Sequence, residues 1–468
     1  MSRSESFEFG DFLLDVGERK LVRRNGVMNG ALPEKAFQTL VHLVRRGGTL
    51  LTKEELLLAV WPDTIVEENN LGKAIHAIRR CLGERIGEQK YIETVPKYGY
   101  RFVAKVKRLS DDTDHPVPIQ VAQVARDAID PAMRSPAYDL YLRGKVKAGS
   151  ENRGDTEAAI KVLEAAVAID PNLAGAYAQL ARAYNTLAFK FSSDTEAKVY
   201  HENAEVAILK SLALDPELAE GHFARGLILW TKTKGFPHEL AIKSYKRSLE
   251  LDPDDDETHH QLSMVYSHIG LLDEAQESVS RALEINPNNT MARFRVGVYN
   301  AYQGRFEEAL NVFKTIPRDV SPLLVDRCMS DVLVQVGRLK EAEEIVKRYL
   351  ENHPKDEGGS FTSVKAVLLA KRGQALESEA AIHRAIELGH GFGHFHHTAH
   401  NIASACAAMN RPEDAVRWLE SASDDGFPNP TYFAIDPNLV TIRHHPRFVE
   451  FIGKLQPQWQ RFKDLASA

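Results

Sequence analysis

A mixed fold is expected: a small α+β head followed by an all-α solenoid of repeated helix pairs. Three observations point there. Short strand-like runs and three amphipathic stretches share the first 108 residues. From Pro136 the chain turns helical and Ala-rich. It then repeats an apolar–Asx–Pro phrase at Ile169-Asp170-Pro171, Leu214-Asp215-Pro216, Leu251-Asp252-Pro253 and Ile285-Asn286-Pro287, the last step being 34 residues. With 468 residues the chain is too long for one core, so a domain plus a repeat array is the natural division.

In the head, FEFGDFLLD and RKLVRRNG within residues 7–31 alternate and break at Gly and Asn, as small strands with turns do. Pro33 suits the first position of a helix, and Phe37, Leu40, Val41 and Val44 follow at helical spacing up to Gly47-Gly48. Thr52-Lys-Glu-Glu55 is a capping box opening a second helix, which should end at Trp61-Pro62. A third helix is expected over 67–82, its stripe being Leu71, Ile75, Ile78 and Leu82. YIETV and YRFVAKV, flanking Pro96-Lys97-Tyr98-Gly99, should form a hairpin.

Residues 109–135 are polar and Pro-containing and read as a linker, with one short helix at 119–128. Beyond it about eight helix pairs are expected over 136–427. An insertion is expected at 185–203, and a capping segment at 428–468. Residues 254–256, three Asp after a repeat-ending Pro, should cap the next helix.

Charge divides with the domains. Residues 1–108 carry 19 Lys and Arg against 14 Asp and Glu, a net of +5, and the remainder carries −11, making the overall −6. A basic head on an acidic body points to a polyanion partner for the head. Opposite the stripe of the third helix stand Asn69, Asn70, Lys73, His76 and Arg80, side chains that hydrogen-bond base edges or phosphates. Lys97 and Tyr98 mark the hairpin tip, with Arg101 following.

Leu50-Leu-Thr-Lys-Glu-Glu-Leu with Val60-Trp61, the run from Asn70 to Gly83, and Tyr91-Ile-Glu-Thr-Val-Pro-Lys-Tyr-Gly-Tyr-Arg-Phe-Val103 carry a resemblance. Residues 7–106 resemble the C-terminal effector domain of OmpR/PhoB-type transcriptional regulators, a winged helix-turn-helix. The resemblance implies double-stranded DNA as partner, with bases met by Asn69, Asn70, Lys73, His76, Ala77, Arg79 and Arg80. Thr94, Lys97 and Tyr98 would serve from the wing. It also implies a homodimer on tandem sites. Asn69, His76 and Ala77 replace residues often Arg in the family, so the operator does not transfer. The chain opens on the effector-like segment, so a one-component regulator without a receiver is expected. The alternative is an interaction scaffold whose head no longer binds DNA.

The grid Leu262, Ser263, Tyr266, Gly270, Ala275, Val279 and Ala282, echoed at Gly297, Gly304, Ala309 and Phe313 and again at Gly337, Ala342 and Val346, resembles the tetratricopeptide repeat (TPR) family. That likeness implies a superhelix with a concave groove lined by His260, Met264, His268, Phe294, Tyr302, Arg327, His397 and His400. The mix suits a protein or peptide partner, an acidic one included.

Other classes find little support. Nothing forms a phosphate-cradling Gly loop or a nucleophile elbow, so no catalytic residue and no enzyme are expected. His390, His394, His396, His397 and His400 cluster in sequence, and His396 and His400 share a helix face. No Glu stands beside them, and no carboxylate or Cys ligand is close in sequence, so neither metal nor cofactor is expected. Three distant cysteines fit a reducing cytoplasm better than a disulfide framework. No apolar run nears the roughly 20 residues of a membrane span, and the N-terminus lacks the apolar stretch of a secretory signal.

Overall fold

In a computed structural model the described residues are 6–17, 19–24, 32–60, 68–84, 90–95, 99–109, 135–150, 152–192, 194–317, 321–389 and 392–467. The chain divides into two compact units, Met1–Val146 and Lys147–Ala468.

The first unit opens with three antiparallel strands, β1 (Ser6–Phe9), β2 (Phe12–Asp15) and β3 (Lys20–Arg23). Period-2 alternation sends Phe7, Phe9, Phe12 and Leu14 inward. Phe9 pairs with Phe12 across a two-residue turn in which Gly10 has φ +51°, a left-handed conformation glycine takes without a Cβ clash. Helix α1 (Glu34–Arg45) starts one residue after Pro33, and its expected apolar face, Phe37, Leu40, Val41 and Val44, is buried. A short strand β4 (Leu50–Thr52), unforeseen in the sequence, leads into α2 (Lys53–Val60). The capping box forms reciprocally: Thr52 N donates to Glu55 Oε2 at 2.8 Å, and Glu55 N donates to Thr52 Oγ1 at 3.1 Å. Trp61-Pro62 lies outside the described residues.

Helix α3 (Glu68–Leu82) ends at Gly83, which has φ +69°. Strands β5 (Ile92–Val95) and β6 (Gly99–Phe102) form the expected hairpin. YRFVAKV is not one strand, however. It breaks after Phe102 and resumes as β7 (Val106–Leu109), which pairs with β1 rather than β5. Two antiparallel sheets result, ordered β3-β2-β1-β7 and β4-β6-β5. Gly99 is required where β6 begins beside β4, because a Cβ there would sit 2.0 Å from the Leu51 carbonyl oxygen.

The linker expected at 109–135, with its short helix, lies outside the described residues except for its two ends. After it come α4 (Pro136–Lys147), α5 (Arg153–Ile169), α6 (Ala174–Lys190), α7 (Asp194–Leu214), α8 (Ala219–Leu229) and α9 (His238–Leu251). Then follow α10 (Asp256–His268), α11 (Leu272–Ile285), α12 (Thr290–Tyr302), α13 (Phe306–Thr315), α14 (Pro322–Gln335) and α15 (Leu339–Asn352). The run closes with α16 (Ser360–Lys371), α17 (Ala375–Gly389), α18 (Phe395–Ala408) and α19 (Pro412–Asp424). The boundary between the units falls inside α4, and α5 to α19 stack within the second.

The repeating residues have separate tasks. Asp170, Asp252 and Asn286 leave helical geometry (φ −127 to −135°) because the following Pro crowds the α region. Gly270, Gly304, Gly337 and Gly373 turn the chain between paired helices at φ +77 to +80°. Gly297 lets α12 approach α13, where an added Cβ would meet the Phe313 ring at 2.5 Å. The insertion expected at 185–203 is absorbed by lengthening α6 and α7 to 17 and 21 residues. Asp255 caps α10 by accepting from Thr258 N at 3.1 Å, as the acidic run suggested.

The C-terminal segment does more than cap. It holds α20 (Pro430–Ile435), a single tight turn at Pro437–Leu439 and α21 (Pro446–Ser467). It packs on α19, then crosses the inner side of the array. Asn429 Nδ2 donates to Ser267 O (2.7 Å), Trp459 Nε1 to Gly270 O (3.1 Å) and Lys246 Nζ to Ala466 O (3.1 Å). Among the described residues no helix is long and apolar enough to cross a membrane.

Candidate nucleic-acid interface and repeat groove

Helix α3 is held from behind. Leu71, Ile75, Ile78 and Leu82 are each at most 3% exposed against α1 and the sheets. Burying each such side chain contributes about 1.5–3 kcal/mol, more than any surface charge could contribute to placing the helix. Lys73, His76, Ala77 and Arg80 lie at i, i+3, i+4 and i+7, the first three half-buried and Arg80 exposed. They form one polar flank on the side away from the stripe. Asn69 and Asn70 sit in the first turn of α3, but their side chains lie outside the described set, as do Lys97 and Tyr98 altogether.

Three of the expected DNA contacts, Arg79, Thr94 and Arg101, have partners within the head. Arg79 lies four residues after Ile75 and three before Leu82, so it borders the buried stripe. Its guanidinium donates to Ile92 O at 2.9 Å and Thr94 Oγ1 at 2.8 Å, and its Nε is 3.5 Å from Glu84 Oε2. The buried Glu84 carboxylate also accepts from Tyr91 N at 2.7 Å. Arg79, Glu84 and Thr94 thus clamp the end of α3 to β5. Arg101 Nη1 pairs with Glu93 Oε2 at 2.8 Å across the β5–β6 register. The Arg79 contacts join the helix to the hairpin, and the Arg101–Glu93 pair braces the hairpin itself. Glu84 escaped the sequence reading because a lone acid after a helix-ending Gly carries no periodic signal.

Within the second unit, Tyr302, Arg327, His397 and His400 line one inner cavity together with Asp331, Gln335 and Tyr432. The groove is not open there, because Phe427, just ahead of the C-terminal segment, and Tyr432, within that segment, sit in it. Phe427 lies 5.2 Å from the His397 ring and 5.7 Å from Tyr302. Gln335 Nε2 donates to Tyr432 Oη (2.7 Å) and Asp436 Oδ1 (3.1 Å), and His400 Nε2 stands 2.9 Å from Asp436 Oδ2. Arg327 pairs with Asp331 at 2.8 Å. Burial pushes the Asp331 carboxyl up from its ordinary range, and Arg327 pulls it back. His260 and His268 are buried and Met264 is half-buried. Phe294 belongs to the core: it has no exposed surface and packs on Phe313 with ring centroids 5.6 Å apart.

His396 and His400 diverge despite their shared face. His400 turns to Asp436, while His396 faces His268, His394 and His397, a grouping hidden from the sequence because His268 comes from α10. Burial holds His268 and His397 well below the ordinary histidine value, with His396 adding to it. His390 lies outside the described residues.

Residues 29–102 match the family of the C-terminal domain of transcriptional regulatory proteins, and residues 150–173, 244–277 and 267–320 match tetratricopeptide repeats. Transcriptional regulator HilA of Salmonella typhimurium is 36% identical over 113 residues, 24% of this chain and 20% of that one. The cholera toxin homolog transcriptional activator of Vibrio parahaemolyticus is 32% identical over 93 residues, 19% of this chain and 32% of its own. Transcriptional activator CadC of Escherichia coli is 27% identical over 123 residues, 26% of this chain and 24% of its own. The chain therefore spans about a fifth to a third of the length of these relatives. Among solved structures, a Rap protein complexed with competence and sporulation factor aligns at TM-score 0.50 and 16% identity, over 69% of this chain and 98% of that one. The fold of the array is shared with it.

Proposed function

Since the head belongs to the OmpR/PhoB-type effector-domain family and is joined to tetratricopeptide repeats, we propose that the chain is a sequence-specific DNA-binding transcriptional regulator whose repeat array receives a protein signal. The observation that carries this reading is α3: four buried apolar side chains behind, and Lys73, His76, Ala77 and Arg80 in front. That flank suits the major groove, with the clamped hairpin beside it for the backbone. Asn69, Asn70, Lys97 and Tyr98 enter the proposal through the family resemblance alone. A homodimer on tandem half-sites, a cytoplasmic location and a protein or peptide partner for the array belong to the same proposal. No enzymatic step is assigned to it. Because the C-terminal segment covers the inner groove and lines its cavity, a partner either displaces that segment or binds elsewhere on the array.

The test selects duplexes from a random-sequence library with the full chain, then measures Lys73→Ala and Arg80→Ala on the winning site across salt. A lost phosphate contact should lower affinity on all sequences and reduce the salt slope by about one. A lost base contact should cost about 1–3 kcal/mol and relax preference at one position. Selection of no duplex above background would sink the regulator reading and favour the scaffold.

A further inference from the structure

Four histidines converge where the end of α10 meets the start of α18. One ring nitrogen from each of His268, His394, His396 and His397 lies within 4.8 Å of one from every other. His268 and His396 are buried and the other two half-buried. His268 Nδ1 stands 2.8 Å from the Met264 carbonyl, and His396 Nδ1 stands 2.8 Å from the Asp425 carbonyl. A carbonyl oxygen only accepts, so each Nδ1 carries the proton and each Nε2 keeps its lone pair. Both Nε2 atoms are buried without a hydrogen-bond partner. Two buried lone pairs in one cluster call for a shared electrophile.

We propose that His268, His394, His396 and His397 form a binding site for a borderline divalent transition-metal ion of the Zn²⁺ class. Imidazole ligands favour Zn²⁺, Co²⁺, Ni²⁺ or Cu²⁺ over Mg²⁺ and Ca²⁺. A ring whose second nitrogen donates to a backbone carbonyl is the usual outer arrangement of a metal-bound histidine, and His268 and His396 both have it. Asp425 adds a carboxylate oxygen 3.6 Å from His396 Nδ1, beside an otherwise neutral ligand set. Tetrahedral Zn–N bonds of about 2.0–2.1 Å place donors about 3.3 Å apart, so the rings close inward by roughly an ångström on loading. His400 is not a ligand, being engaged by Asp436. The ion would join α10 to α18, whose ligands His268 and His396 are 128 residues apart. It would do so beside Phe427, whose ring lies 5.4 Å from His268 and 5.9 Å from His396. Metal would thus stiffen the joint at which the C-terminal segment enters the groove.

The full chain, stripped with a chelator, is titrated with Co²⁺. The expected result is saturation at one equivalent with the visible absorption of four-coordinate Co²⁺, bleached by Zn²⁺ and unaffected by Mg²⁺. His268→Gln, and the double variant His394→Asn with His397→Asn, should each weaken Co²⁺ by at least about 10- to 100-fold, the range known for outer partners alone. His383→Gln, on the exposed face of α17, should not. If circular dichroism shows that His268→Gln does not fold, the double variant at the half-buried positions decides. A wild-type chain that takes up no Co²⁺, or a folded double variant that binds it like wild type, overturns the site. The readout is metal, so failure of DNA binding leaves it intact.

Discussion

Arg79→Ala distinguishes a clamp from a DNA contact. The side chain makes two charge-assisted hydrogen bonds, 2.9 Å to Ile92 O and 2.8 Å to Thr94 Oγ1, and faces Glu84 at 3.5 Å. Hydrogen bonds to charged groups contribute about 1.5–3 kcal/mol each. Removing Arg79 also leaves the Glu84 carboxylate, fully buried, without its counter-charge. Arg79 itself is 28% exposed, so solvent screens part of the pair. A net loss of about 2–4 kcal/mol in the anchoring of β5 follows, a factor of roughly 30 to 1,000 in its opening equilibrium. Hydrogen exchange on the full chain should report it: amides of 91–95 and 99–102 exchange faster by that factor, while those of α10 to α19 do not change. Arg79→Lys should recover little, since one ammonium cannot span the three acceptors. Unchanged protection of 91–102 alongside a large loss of DNA affinity would refute the clamp and return Arg79 to the interface.

Phe427→Ala removes the ring that packs among His397, Tyr302 and Phe433; it should cost about 3–5 kcal/mol and raise hydrogen exchange across 430–467 while leaving the head unchanged. His238 is buried, with Nδ1 accepting from Trp230 Nε1 at 3.0 Å, and burial first, then His396, pushes its value down from 6.5 to about 3. Below pH 6.5 the unfolded chain therefore binds a proton that the folded chain refuses. Stability should fall by about 1.4 kcal/mol per pH unit from 6.5 toward 3 on account of this group. Denaturant midpoints of wild type and His238→Gln at pH 7 and pH 5 check the sign, and equal slopes would count against it.

Much of the head was legible because its signals are local. Thr52 and Glu55 are three residues apart and form their reciprocal cap. Leu71, Ile75, Ile78 and Leu82 declare a buried face by spacing alone, and all four are buried. What escaped depends on partners distant in sequence. Leu50–Thr52 has too few residues to show alternation, and it is a strand only because β6 lies beside it. The break between β6 and β7 reflects two sheets competing for one apolar run, which composition does not express. Arg79 looked like its neighbour Arg80, yet one position around a helix of 3.6 residues per turn moves a side chain by about 100°, from the open flank to the edge of the stripe.

The repeat array presents the same divide on a larger scale. Gly270, Gly304, Gly337 and the Asx-Pro stops recur because every helix pair makes the same turn and the same neighbour contact. Periodicity exposes whatever each unit repeats. It is blind to what happens once in a superhelix, when distant units and the chain end meet on the inner face. Phe427, Phe433, Phe448 and Phe451 have no place in the repeating grid, yet each is at most 4% exposed. Apolar side chains without a repeat partner must find uncovered apolar surface, and the inner helices supply it. The C-terminal segment therefore occupies the inner face proposed above for a peptide partner. On the proposed reading, a partner aimed at Arg327, His397 and His400 would have to release Phe427 and Tyr432 first, and its apparent affinity would be its intrinsic affinity multiplied by the fraction of chains in which that segment is unseated.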